Sequence, residues 1–567
     1  MFVQKLWTVL LLIAYFQQAH VPSVSGLSAS SRTPATSPTF RISGKVIDAI
    51  TGQPLARASV SVNPPNSPNT PNPPDSGRLE ITDDEGVFAF TGLPPGKYVL
   101  SARHRGYVAQ MYQQHEFFTT AIIVGPGLQS ENLIFGLRPA ASISGVVDDE
   151  SGDPVRHASV LLYRQLFNGG RRRTVQMGGA DTNDEGYYHF GHLDPGTYFV
   201  AVSAQPWYAQ HARTVHVFTK SSDDPVTREI LQPIAEQNQA LDVVYPIAFY
   251  SNAGDLQGAT PISLHSGDTA IADFRMRPVP SMHFLVRTPA PDSEQNMGVS
   301  VTQTVTESST IWVPAQVNPV APGLIEVTGV PQGRFNLVLN SQRGSTATRR
   351  SQSVQIENDS DVDVTRTSSS VVVSGVLRIE DGSPVPQPAR VRLVISANGG
   401  IFDTAVSATG EFSFKDNPVE PGNYEIVIIE PQALFIRNLT SENAKTSGRS
   451  FQIATAQDVS LRIHASKGNG RVTGVALQKD KPASGVMIVL APLDSKSNPA
   501  LFRRDQSDSD GSFVLNVVVP GRYTLMAIED GWDLEWGDPA VLQKYLAGGE
   551  SVLIAPNEKI DVKVKVQ

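Results

Sequence analysis

Alternation of apolar and polar residues, interrupted by glycine and proline at fixed places, recurs five times along the chain. Asp83–Ala102 reads DDEGVFAFTGLPPGKYVLSA and Asp181–Val202 reads DTNDEGYYHFGHLDPGTYFVAV; Pro322–Leu339, Ala408–Ile428 and Asp508–Ala527 repeat the pattern. Apolar pairs precede the break (Phe88/Phe90, Tyr188/Phe190, Ile325/Val327, Phe412/Phe414, Phe513/Leu515), and an alternating aromatic-led run follows it (Tyr98, Leu100, Ala102 in the first copy). A period of two marks strands with one buried and one wet face, so each copy predicts strand, tight turn, strand. One glycine opens the first strand (Gly86, Gly186, Gly323, Gly410, Gly511) and a second sits in the break (Gly96, Gly196, Gly333, Gly422, Gly521). Pro95-Gly96, Pro195-Gly196, Pro421-Gly422 and Pro520-Gly521 suit a type II turn, in which proline presets φ and glycine supplies a positive φ. Gln332 stands where the third copy would have its proline.

The flanks repeat too. FRISGKVIDAITGQPLARASVSV, SISGVVDDESGDPVRHASVLLY, VVSGVLRIEDGSPVPQPARVRLVI and RVTGVALQKDKPASGVMIVLAP are strand pairs whose first member is broken by Gly44, Gly145, Gly375 or Gly474. A glycine inside a strand signals a bulge or a close backbone approach. The third unit has SMHFLVRTP there, without the glycine. Each unit closes with a further strand, polar turn and strand, as in AIIVGPGLQSENLIFGL. Six or seven strands per ~100 residues is the count of a sandwich. The chain therefore reads as all-β, about five tandem antiparallel Greek-key β-sandwiches: 40–139, 140–280 with a long insertion near Thr219–Asp255, 281–368 (divergent), 369–466 and 467–567. One short helix is expected at Asp538–Gly548, with Asp538 as N-cap and Pro539 at its first position. Asn63–Ser76 is a proline-rich insertion expected to be extended.

Composition narrows the chemistry. The 567 residues carry a net charge of -9 and no cysteine, which excludes disulfides and thiolate catalysis and argues against a nucleic-acid surface. Lys5 before the apolar run Leu6–Phe16 predicts a secretory signal over residues 1–25, cleaved before Gly26, with a disordered linker over 26–39. No later stretch is long and apolar enough to span a bilayer, so no transmembrane segment is expected after signal cleavage.

Gly44, Val46, Pro54, Ala58, Val60, Thr82, Asp83, Gly86, Phe88, Phe90, Leu93, Pro95, Gly96 and Tyr98, with their counterparts from Gly145 to Tyr198, resemble the pattern of carboxypeptidase regulatory-like domains. Units four and five match it more loosely and unit three poorly. The resemblance implies a transthyretin-like sandwich, related to collagen-adhesin B-type and starch-binding-like domains. It also implies a secreted or surface module, often attached to a peptidase, adhesin or receptor; no such partner module is visible here.

Candidate sites remain. There is no HExxH, and His115-Glu116 lacks a second histidine. His189 and His192 could ligate a metal but read better as solvent-facing turn residues. Asp508, Asp510 and Gly511 have calcium-loop spacing without the bidentate glutamate, so a turn is preferred. Lys45, Asn132 and Glu80 could form the isopeptide crosslink of the related adhesin domains, but Lys45 reads as exposed. Arg171–Arg173 reads as a solvated loop. The aromatics after the repeated element, Tyr107, Tyr112, Trp207, Tyr208, Trp532 and Trp536, are the candidate ligand-binding residues, against the alternative that they pack the sandwich edge. The expectation is a non-enzymatic secreted or cell-envelope protein, with no cofactor and no metal. It would be a spacer or interaction surface for an unknown protein or polysaccharide partner, or else a carbohydrate-binding protein.

Overall fold

The computed structural model describes residues 39–567 except 65–76, 169, 212–214, 220–228, 234–237, 239, 289–294, 307–308, 322, 344–345, 359–361, 364–370, 396–400, 420, 456 and 494–500. The signal, nearly all of the linker and most of the proline-rich insertion expected from the sequence lie outside the described residues.

The protein is a series of β-sandwiches with five separate cores, running from Ile42 to Leu137, Ala141 to Met276, Phe284 to Ile356, Val371 to Ala465 and Val472 to Val564. The first shows the plan. Strand Phe40–Asp48 lies between Val87–Leu93 and Leu133–Leu137 in one sheet; the other is built on Ser59–Asn63 and Gly96–Arg103. Antiparallel pairing dominates, but the opening strand of every sandwich also pairs in parallel with a closing one: Gly44 lies opposite Leu133, Gly375 opposite Leu461 and Gly474 opposite Val562. That parallel neighbour is why the strand glycines are there. A Cβ at Gly44, Gly375 or Gly474 would stand 2.2, 2.2 or 1.9 Å from the partner's carbonyl oxygen, so they mark a close backbone approach. The two closing strands do not pair with each other: Ile122–Val124 joins Gly96–Arg103, whereas Leu133–Leu137 joins Phe40–Asp48.

The repeated element differs from its sequence-based expectation. Val87–Leu93 pairs with Phe40–Asp48, and Gly96–Arg103 pairs with Ser59–Asn63; all five copies divide their two strands between the two sheets in this way. The element is an arch across the sandwich, not a hairpin. The sheets lie ~10 Å apart, so a two-residue reversal cannot connect them. Accordingly the break glycines do not take the φ near +80° that a type II turn requires: Gly196 and Gly333 are at +155° and +153°, and Gly96, Gly422 and Gly521 have no positive φ. A Cβ at Gly96, Gly422 or Gly521 would lie 3.8, 3.5 or 3.4 Å from the ring of the tyrosine two residues on, an ordinary contact distance, so the ring does not by itself demand glycine. The hydroxyls of Tyr98, Tyr198 and Tyr523 donate to the carbonyls of Pro94, Asp194 and Val519 (3.0, 2.7 and 2.6 Å), fastening each corner. Positive φ belongs to the first glycine of each copy, from +70° at Gly186 to +89° at Gly410. There the chain turns back tightly: Gly86 N donates to Asp83 O, and Gly86 O accepts from Val46 N (3.0 and 2.8 Å).

The expected helix is present as Pro539–Leu546, capped by the Asp538 carboxylate accepting from Ala540 N at 2.9 Å. Among the described residues no helix is long and apolar enough to cross a membrane.

Candidate functional site

Two sandwiches bury the outer face of a sheet as well as the inner one. In the last, Ile488 and Leu490 face the core while Met487, Val489, Ala491, Met526 and Ile528 face outward. That outward face is covered by Trp532, Trp536 and Leu542 of the insert after the arch, and by Phe118 of the first sandwich. The first and last sandwiches therefore meet, although 388 residues separate Glu116 from Arg504.

The seam is continuous. Arg504 donates to both carboxylate oxygens of Glu116 (3.1 and 2.7 Å), with its guanidinium 4.5 Å from the Trp536 ring and 5.0 Å from that of Phe118. His115 stacks flat on Trp532, centroids 4.7 Å apart. Burial lowers the His115 pKa below the ordinary 6.5, against the raising effect of its hydrogen bond with Gln506. The Gln506 amide donates to Gln113 O and Thr120 Oγ1 (2.6 and 2.8 Å). Ser509 N donates to Ala121 O (2.9 Å), Ile123 N to Ser509 Oγ (2.8 Å) and Ala121 N to Asp508 Oδ1 (3.1 Å). The other oxygen of Asp508 pairs with Lys97 at 2.6 Å. Burial raises the Asp508 pKa, opposed by Lys97. The DSDG stretch with calcium-loop spacing is thus a docking turn whose first carboxylate is already engaged. Beside the seam, Gly537 N donates to Gly170 O (2.9 Å), and Arg172 of the three-arginine run pairs with Glu535 at 3.5 Å, bringing the second sandwich against the last.

The six candidate aromatics separate into two groups. Tyr112, Trp532 and Trp536 are buried: Tyr112 packs edge-on to Phe135 at 5.5 Å, and the two tryptophans, 8% and 9% exposed, hold the seam. None of the three turns a face to solvent: Tyr112 belongs to the core of the first sandwich, and the tryptophans cover an outer sheet face that is itself apolar. Tyr107 is half-buried, donating to Asp48 Oδ2 at 2.8 Å; burial, then that carboxylate, pushes its pKa up to about 12. Tyr208 donates to Glu150, and Tyr245 donates to the other oxygen of the same carboxylate at 2.8 Å. Trp207 is 86% exposed, standing edge-on to Tyr208 at 5.7 Å. His189, His192 and Lys45 are solvent-exposed, and among the described residues no three His, Cys, Asp or Glu side chains are arranged to hold a metal.

Sequence reasoning missed Lys97, Arg504 and Gln506, which nothing local distinguishes, and weighed Glu116 only as part of an incomplete metal motif with His115. It also missed the junction of the second and third sandwiches. There Asp242 bridges His211 (3.0 Å) and His283 (2.5 Å), and Ile311 enters an outer-face cluster with Tyr163 and Phe249. Readable signals existed for the outer faces: Val486–Pro492 and Leu525–Ile528 are apolar at both parities, as strands covered on both sides are.

Residues 41–124 and 142–227 match the carboxypeptidase regulatory-like domain. No curated protein matches the chain. Among solved structures it is similar to a streptococcal ancillary pilin (14% identity, 51% of this chain and 99% of that one, TM-score 0.19). It is also similar to the Bacillus anthracis TIE protein (11%, 93% and 74%, 0.15) and to BcpA, the major pilin subunit of Bacillus cereus (10%, 58% and 99%, 0.15).

Proposed function

We propose, from the premise that segments 41–124 and 142–227 match the carboxypeptidase regulatory-like domain, that the chain is a non-enzymatic secreted or cell-envelope protein acting as a rigid interaction scaffold for a protein or polysaccharide at the cell surface. The seam carries this reading. Groups that sequence alone offers to catalysis or metal binding are engaged in packing: His115 on Trp532, Glu116 with Arg504, Asp508 with Lys97. A plain spacer would keep modules so distant along the chain apart, whereas these contacts hold them together and favour an interaction surface of fixed shape. The chain has no cysteine, so Ala121→Cys with Ser509→Cys, whose backbones share a hydrogen bond, should oxidise to an intramolecular crosslink that migrates faster on a non-reducing gel. Failure to crosslink, or hydrolase activity that one point substitution abolishes, would overturn the reading. Fractionation of the native host tests the location.

A second reading, carbohydrate binding, is favoured by one observation: an indole as exposed as Trp207 is apolar area left in water. Affinity electrophoresis of the parent and Trp207→Ala in glycan-containing gels tests it; equal retardation removes Trp207 from any such site.

A further inference from the structure

We infer that the outer face of the four-stranded sheet in the third sandwich, with Trp207 beside it, is a platform for an extended neutral polysaccharide; the inference rests on the second reading above and supplies its site. Strands Ser309–Val313, Gln295–Thr306, Gly333–Arg343 and Thr346–Ile356 lie side by side in that order. Val301, Val313, Leu337 and Val354 of these strands enter the core, so residues of the other parity lie on the opposite face; Trp312, Thr304, Thr310 and Ser353 are exposed there, whereas Thr302 is buried with its hydroxyl donating to Asn336 O at 3.5 Å. The register aligns Trp312 with Thr302, Thr302 with Asn336 and Asn336 with Ser353, one straight row across all four strands. At ~4.8 Å per strand the row is roughly 14 Å long, and its step is comparable to the rise of one pyranose in an extended chain. Beside it Thr310 lies opposite Thr304, and Asn336 Nδ2 ties the row to this pair by donating to Thr304 Oγ1 at 2.8 Å.

Hydroxyl-rich outer faces are ordinary on solvated sheets and by themselves call for no ligand. The tryptophans do. Of the four among the described residues, Trp532 and Trp536 are buried, whereas Trp207 and Trp312 are 86% and 60% exposed. Both exposed indoles belong to one junction: Gln205, two residues before Trp207, donates to the carbonyl of Pro314, two residues after Trp312. Exposed large apolar groups gathered in one place mark interaction sites. An indole face stacks on the C–H face of a pyranose, while the exposed hydroxyls of Thr304, Thr310 and Ser353 on the same face exchange hydrogen bonds with sugar hydroxyls. The row from Trp312 to Ser353 contains no charged side chain, so a neutral chain fits along it.

The test uses the full chain and four neutral β-linked probes, cellohexaose, xylohexaose, mannohexaose and chitohexaose, by calorimetry and tryptophan fluorescence. At least one should bind and shield indole emission from acrylamide. Trp312→Ala and Asn336→Ala should each weaken it about tenfold or more, with melting unchanged because Trp312 is outside the core. Tyr187→Ala, an exposed aromatic elsewhere, should leave binding alone. No binding of any probe at millimolar concentration overturns both the site and the second reading. Binding that Trp312→Ala and Asn336→Ala leave within about twofold overturns this site while carbohydrate binding itself survives.

Discussion

Replacing Glu116 by alanine should open the seam between the first and last sandwiches. Arg504 would keep its place between Phe118 and Trp536 but lose both carboxylate contacts, and both partners of that pair are largely buried. Removing one member of a buried pair costs ~3–5 kcal/mol, most of it the penalty of the charge left behind. Undocking limits the loss, since a released Arg504 regains water, so the energy appears as a larger open fraction. A reporter is available because the chain has no cysteine. Thr120 is fully buried, and its hydroxyl lies between Gln506 and Ser507 O of the opposite sandwich. In a Thr120→Cys background, labelling by a thiol reagent proceeds only through the open form. Its rate should rise roughly a hundredfold or more with Glu116→Ala, since each 1.4 kcal/mol is a factor of ten. Adding Arg504→Met should recover most of the protection, because an apolar side chain there leaves no uncompensated charge. Arg462→Ala, which removes an exposed pair with Glu442, should change the rate by less than about twofold. A rise below tenfold for Glu116→Ala, or no recovery in the double variant, would refute the assignment of the seam to this pair.

Tyr523→Phe deletes only the bond that fastens the last arch and should cost about 1 kcal/mol, or about 4–8 °C of melting in that sandwich; an unchanged transition would mean the corner does not depend on its hydroxyl. Gly86→Ala and Gly52→Ala both place a side chain at positive φ, +73° and +71°. The first also drives a Cβ to 2.5 Å from Val46 O, while the second meets nothing within 4 Å. Strain alone is ~1–2 kcal/mol, so Gly52→Ala should remain near that figure and Gly86→Ala clearly exceed it in denaturant titrations. For pH, the His115 pKa is lowered on folding by burial, so its contribution is complete above the unfolded value of about 6.5 and is lost as pH falls through it. Thiol labelling in the same Thr120→Cys background, divided at each pH by the rate for a free thiol because only the thiolate reacts, should accelerate as the pH drops below that value, and His115→Phe, which retains a ring on Trp532, should flatten the profile.

The strands were legible because their cause is local. Burial on one face forces a period of two, and the five cores formed by Phe88, Tyr188, Phe335, Phe412 and Phe513 with their neighbours follow from it. The way strands join was not. A hairpin and an arch show the same alternation on either side of a break, and only pairing with distant strands distinguishes them. The unusual φ falls on the other glycine of each copy for that reason: Gly86 carries it and Gly96 does not. Of the candidate aromatics, Trp532 and Trp536 could have been placed by noting that Val486–Pro492 is apolar on both faces and needs a cover. Trp312 went unremarked because the third unit matches the repeat least. Lys97, Glu116, Arg504 and Gln506 meet through tertiary structure alone, and no spacing announces them.

The parallel pairing of each opening strand with the last strand of its own module sets the order in which the chain can be completed. Gly44 waits for Leu133, Gly375 for Leu461 and Gly474 for Val562, so a nascent module lacks one neighbour of its central strand until nearly all of it has emerged. Contacts this distant along the chain make for slow folding and leave sheet edges open meanwhile. The docking of Phe118 and Glu116 is deferred further still, until the final module exists. A chain stopped before Val472 would therefore leave Phe118 without the apolar face that covers it, so this seam closes after the modules themselves.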